Sequence, residues 1–221
     1  MLSIKYILSR LGIVVGIYVS CLLIFTQPVF QDPVKHAFMR KADSFLSIML
    51  PKAYIALESD QSVDQYNPDI IRILIDDQKL IDAQIAQARA TGQKQLVLQL
   101  KEFRISFMNF VLIPVFFLIA LIAATPVPGK RKSWILIGSL GLLILVIFLK
   151  LICYFFYQAK VLDCQVYVLD GWQFEVVSFV FLQLKVGANV IIALMVWLLF
   201  AIRFSDLKKI SSSMSTLKVL T

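Results

Sequence analysis

Four apolar runs constrain this chain more than any other feature: Leu11 to Phe30, Phe107 to Thr125, Trp134 to Tyr157, and about Val176 to Ile202. Each has the length of a helix that crosses a ~30 Å hydrocarbon core, which takes roughly 20 mostly apolar residues. A water-soluble domain of this size needs a polar exterior, and with 59% hydrophobic and 16% charged residues these stretches have none to offer. The expected fold class is therefore membrane α-helical, with four transmembrane helices and a small external α+β insertion between helices 1 and 2. Soluble enzymes and secreted disulfide scaffolds recede, and the three cysteines form no disulfide framework or metal-spaced pair.

The basic excess is placed by topology. The chain has 22 Lys and Arg against 14 Asp and Glu, a formal charge of +8. With both termini in the cytoplasm, the cytoplasmic segments hold Lys5, Arg10, Lys130, Arg131, Lys132, Arg203, Lys208, Lys209 and Lys218 against Asp206 alone, which accounts for the whole +8. A nucleic-acid partner loses its main support, while a basic rim suits anionic lipid heads. The first run has the basic flank and apolar core of a secretory signal. It is also long, with no small-residue cleavage site before Gln27-Pro28, so it reads as an uncleaved anchor. The expected organisation is a cytoplasmic tail and first helix over 1–30, the external subdomain over 31–105, helices two to four over 106–203, and a cytoplasmic tail over 204–221.

In the external segment ten basic and ten acidic residues cancel between Gln31 and Arg104. Val34 to Leu50 sets Phe38, Ala42, Phe45 and Met49 on one helical face. Such a helix either lies on the outer membrane surface or packs on its own subdomain. Short β-prone runs at Ala53 to Leu57, Ile70 to Ile75 and Leu96 to Leu100 predict three strands, with a helix over Lys79 to Ala90 before Gly92 and a loop over Glu58 to Pro68.

Chemistry is sparse. His36, the single histidine, has no metal-spaced partner, and nucleophile elbows, phosphate loops and dinucleotide glycine patterns are absent. Asp76-Asp77 with Asp82 reads as a strand-end turn opening a helix. No catalytic residue, metal site or cofactor is expected. A small outer-leaflet enzyme would use Cys164, which has Lys160 nearby, or the outer lysines.

Polar groups inside or beside the apolar runs carry more weight, because an ionisable group in hydrocarbon costs at least ~2.5 kcal/mol. Lys150, Lys185 and Asn189 lie toward the outer ends of their runs, and Glu102, Arg104 and Asn109 mark the outer start of the second. Together they predict one polar layer near the outer leaflet, as a partner or substrate site or as snorkelling side chains. Lys185 is either deep in the fourth span or at its outer start. Pro114 is expected to kink the second span and open room beside Asn109.

Arg104, Asn109, Pro114, Ala120, Ala124, Thr125 and Pro126, the Lys130-Arg131-Lys132 turn, Gly138 and Gly141-Leu142 form a pattern over about a fifth of the chain. It resembles that of bacterial exosortase-associated membrane proteins, small accessories of multi-spanning enzymes linked to protein sorting and exopolysaccharide export. The same residues have a local physical reading. Thr125-Pro126 ends one helix, the basic turn pins it in the cytoplasm, and Gly138 and Gly141 allow close helix approach in a hairpin. The Cys-Arg-His set of exosortases themselves has no equivalent here, so the resemblance implies the accessory.

The expected function is a non-enzymatic accessory or scaffold in the bacterial inner membrane. Its partners would be the lipid bilayer and a multi-spanning, exosortase-like membrane protein. A small membrane enzyme acting at the outer leaflet, or a transporter or channel subunit lined by Lys185 and Asn189, are the alternatives.

Overall fold

The computed structural model describes residues 4–60, 69–91, 98, 100–164, 166, 167, 169–183 and 188–201. Helix α1 (Ile4–Phe25) is continuous and apolar. It lies on the second apolar helix through Tyr18 edge-on to Phe117 (ring centroids 5.8 Å) and Phe25 against Phe116 (4.8 Å). The rest of its surface exposes Leu8, Leu11, Ile13, Val15, Val19 and Leu23. A contiguous apolar surface of this kind is stable against lipid and unstable against water.

A two-residue turn leads to Pro28, which opens helix α2 (Pro28–Met49) from its first turn, where the missing N–H costs nothing. Its buried stripe, Gln31, Lys35, Met39, Ala42 and Leu46, keeps helical spacing. The predicted stripe is rotated from this one. Ala42 is shared, Phe38 and Phe45 are half-buried on the flank against Phe148, and Met49 is exposed. The helix thus packs on its own subdomain and on the membrane-type helix behind it at once.

Strands β1 (Ala53–Ser59), β2 (Ile70–Asp77) and β3 (Lys101–Ser106) form an antiparallel sheet in the order β1-β2-β3. Ile71, Ile73 and Ile75 of the central strand are buried on the face that joins the core. Helix α3 (Gln78–Ala90) sits between β2 and β3 in sequence, and Asp77 caps it by accepting from the Lys79 N–H at 2.8 Å. The third strand is displaced from the predicted Leu96 to Leu100. Within that stretch Leu98 and Leu100 lie outside any strand and the rest outside the described residues. The strand is set where Phe103 and Ile105 alternate with Glu102 and Arg104, because only that alternation gives one apolar and one charged face.

β3 runs straight into a helix. A π-helical stretch, Met108–Leu112, continues as α4 (Ile113–Ala124), and a turn leads into α5 (Gly129–Val161). At 33 residues α5 is longer than the predicted Trp134 to Tyr157. At 1.5 Å per residue it is about 50 Å long, well beyond a ~30 Å hydrocarbon core. The residues just past its C-terminus hold the sheet: the Lys101 ammonium donates to the Asp163 carbonyl (2.6 Å) and the Lys52 N–H to the Tyr167 hydroxyl (3.3 Å). The fourth apolar run holds two described helices, α6 (Gly171–Gln183) and α7 (Ala188–Ala201), the first against α5 and the second against α4 and α5. Among the described residues α1 and α5 are the two helices long and apolar enough to cross a membrane. The stretch Met108–Ala124 and helices α6 and α7 are apolar but shorter.

Candidate functional site: a polar lock and a charged sheet face

Pro114 dictates the local geometry at the top of α4. In an α-helix its ring would collide with the carbonyl of Phe110, and widening the preceding turn to π spacing relieves the clash. The Ile113 N–H accordingly bonds the Met108 carbonyl, five residues back. In that spacing the Asn109 carbonyl would take its proton from residue 114, which is proline and has none. The vacancy is filled from another helix: the Asn189 side-chain amide on α7 donates to the Asn109 carbonyl at 2.5 Å. The Asn189 oxygen in turn accepts from the Lys150 ammonium of α5 at 2.5 Å. Lys150 is 9% exposed and also lies over the Phe110 ring, 4.6 Å from its centroid, where the negative face of the ring favours a cation. One donor chain thus locks α4, α5 and α7 together. The gap beside it is about 10 Å³, room for at most one water.

Glu102 and Arg104 belong to a separate tier, on the outward face of the sheet. Cross-strand register sets Arg72 between Glu58 and Arg104. The Arg72 guanidinium donates to Glu102, which pushes the guanidinium pKa up. Arg104 reaches Glu102 at 3.4 Å and the buried Asp60 carboxylate at 3.5 Å, yet remains 52% exposed on its side chain. The two tiers meet at Tyr154, whose hydroxyl donates to the Arg104 carbonyl (3.5 Å) and whose ring packs on Phe103, Phe110 and Phe181.

The predicted single layer is therefore two. Lys150, Asn189 and Asn109 come together, with Asn109 contributing a main-chain carbonyl in place of its side chain. Glu102 and Arg104 stand above them on the sheet, and Lys185 lies outside the described residues. Comparison with protein families, curated proteins and solved structures finds no match to this chain.

The strand-to-helix junction between the tiers is capped from two elements. Ser106 accepts from the Asn109 N–H (3.1 Å) and donates to Asp69, which also takes the Met108 N–H, while the Asp69 carbonyl accepts from Phe107 (2.8 Å). These bonds satisfy donors that a helix start leaves orphaned. Sequence reasoning passed over Asp69, and also Lys35, which is fully buried with its ammonium 2.8 Å from the Ser59 hydroxyl and 3.5 Å from Asp32. A lysine at a stripe position of an amphipathic helix, with an acid three residues before it, was the available signal.

At the opposite end of the bundle the basic residues cap helix C-termini. Arg10 donates to the Ala124 carbonyl (3.2 Å), Lys132 to Ala123 (2.9 Å) and Arg131 to Ala201 (3.0 Å). Thr125 bonds back to Leu121 and accepts from the Trp197 indole at 2.9 Å, while Pro126 is exposed in the turn. Gly138 meets Phe200 of α7, not α4: a Cβ there would stand 2.5 Å from that ring, and Gly141 faces open space. The close approach expected inside the hairpin is thus made to a third helix. Cys164 is buried in the core, and burial pushes its thiol pKa up, against a smaller opposing pull from Lys101. Among the described residues no group of three His, Cys, Asp or Glu side chains is placed to hold a metal.

Proposed function

We propose that the protein is a non-enzymatic accessory or scaffold of an exosortase-type protein-sorting or exopolysaccharide export system in the bacterial inner membrane. It crosses the bilayer with four helical segments, α1, the Met108–Ala124 stretch, α5, and α6 with α7, and keeps both termini in the cytoplasm. Its outer face recognises a multi-spanning membrane partner. The observation that carries this reading is the charged row of Glu102, Arg104 and Arg72, exposed at Arg104 and half-buried at the other two, on a sheet fixed to the helix bundle. A charged face on a rigid base gives orientation and specificity to an encounter. The lipid-facing surface of α1 and the basic residues gathered at one end of the bundle support the membrane orientation.

The test is a C-terminally tagged chain, crosslinked in living cells, extracted in mild detergent and analysed for co-purifying membrane proteins. Recovery of a multi-spanning sorting or export component, lost with Arg104→Glu and kept with Asn109→Ala, is the expected result. The asymmetry arises because Arg104 carries a charge on the sheet face, whereas the lock uses the Asn109 main-chain carbonyl, which Asn109→Ala keeps. Recovery of the chain alone after crosslinking would overturn the reading.

A further inference from the structure

Antiparallel pairing turns alternate residues of a strand away from their neighbour. The Gln78 N–H bonds the Lys52 carbonyl at 3.0 Å and the Asp60 N–H bonds the Ile70 carbonyl at 3.3 Å, so the even-numbered residues of β1 face β2. Ile55, Leu57 and Ser59 then direct their amide and carbonyl groups outward, along an edge of the β1-β2-β3 sheet that no strand among the described residues covers. Ala53 is turned the same way and spends its N–H on the Leu50 carbonyl at 3.0 Å. Among the described residues no backbone group bonds Ile55 or Leu57 on that side. A groove of about 470 Å³ runs beside this edge, and α2 forms its other wall with His36, Met39, Arg40 and Asp43.

A row of outward donors and acceptors at strand spacing is complemented by one kind of group, another extended backbone. We propose that this groove takes an extended peptide segment of the partner, which pairs with β1 as a fourth strand of the sheet. The inference rests on the recognition role proposed above and names its mode. Charge sets the side-chain preference. Glu58 stands across from Arg72, and Arg72 across from Arg104, so an added strand places a side chain beside Glu58. Lys or Arg there pairs its charge with Glu58, and Asp or Glu is repelled by it. On the other face the segment's side chains meet Met39 between Arg40 and Asp43.

The test uses the full chain in detergent and a fluorescent Thr-Val repeat peptide of about ten residues with one central Lys, a length typical of a long strand. Binding is read by anisotropy, and amide exchange locates it. The expected result is slowed exchange at Ile55 and Leu57, with weaker binding of the same peptide carrying Glu for Lys. Leu57→Pro removes an outward N–H and leaves the ladder donors of Tyr54, Ala56 and Glu58 in place, so it should weaken binding roughly tenfold or more. Should that variant fold poorly, Glu58→Lys on the sheet surface keeps the question open to measurement by reversing the Lys-over-Glu preference.

No binding at about 1 mM peptide, or binding without protection at Ile55 and Leu57, would overturn the groove. Self-association of the chain that Leu57→Pro abolishes would do the same, by making a second copy the occupant. Partner recovery in cells that survives Leu57→Pro but not Arg104→Glu would remove the groove and keep the recognition role. Absence of any partner removes the role, and the peptide measurement still reads the groove by itself.

Discussion

Lys150 and Asn189 were legible as residues because polar side chains interrupt apolar runs, yet what they do depends on a main-chain atom no residue code displays. Asn189→Leu should remove the cap on the Asn109 carbonyl and the Lys150 acceptor together, at a cost of about 2 kcal/mol in detergent unfolding. Lys150→Met in that background should recover part of it, since the buried charge left without its acceptor is gone. Cys164 should label slowly with a maleimide at neutral pH in the folded chain and rapidly after denaturation, because the thiolate is disfavoured where the side chain is buried. Burial also raises the Asp43 carboxyl above its ordinary 3.8. The folded state then binds that proton more tightly than the unfolded state, so between the ordinary and the raised value stability falls as pH rises. Asp43→Asn should flatten that slope in a thermal-unfolding series across mildly acidic pH. The Lys35 to Ser59 contact was illegible for a plain reason: the two are 24 residues apart, on a helix and a strand whose pairing is tertiary.

Elements declared themselves unevenly. The apolar runs located α4 and α5, whereas the first run, expected to reach Phe30, breaks after Phe25 where Pro28 opens α2, and Asp77 marked the start of α3 because an acid before a helical pattern is a local signal. The third strand was misplaced because Leu96 to Leu100 and Lys101 to Ser106 both alternate, and the register with β2 selects the second. Its inward Phe103 is 6% exposed, and Phe103→Ala should destabilise the sheet by about 3 kcal/mol. Pro114 signalled a kink, and the chain answers with a widened turn whose unpaired carbonyl a neighbouring helix satisfies. Pro114→Ala supplies the missing N–H, so Asn189→Leu should cost less in that background than in the natural chain. A double-mutant cycle measures that coupling, and independence of the two changes would refute the link. The stripe of α2 was rotated in the sequence reading because its most buried positions include Gln31 and Lys35, which a hydrophobicity pattern counts as surface.

Across the whole molecule, the basic residues Arg10, Arg131 and Lys132 close one end of the bundle by donating to the last carbonyls of the described helices. Replacing Lys130, Arg131 and Lys132 by Gln should therefore lower unfolding stability in detergent, where no membrane potential or topology is at stake. Reporter fusions after Leu50 and after Gly129 test the orientation itself, with the first expected outside the cytoplasm and the second inside. Architecture at this scale was legible in its apolar lengths and charge asymmetry, while the seating of the sheet was not, since Lys101 and Tyr167 reach across from distant segments. That seating has a mechanical side. β3 passes into the helix at Phe107 without a linker, and the sheet is clamped at a second point to Asp163, just past the end of α5. A pull on the sheet has no slack to take up, so it is delivered to the widened turn ahead of Pro114, where the Asn109 carbonyl leans on the Asn189 side chain of another helix.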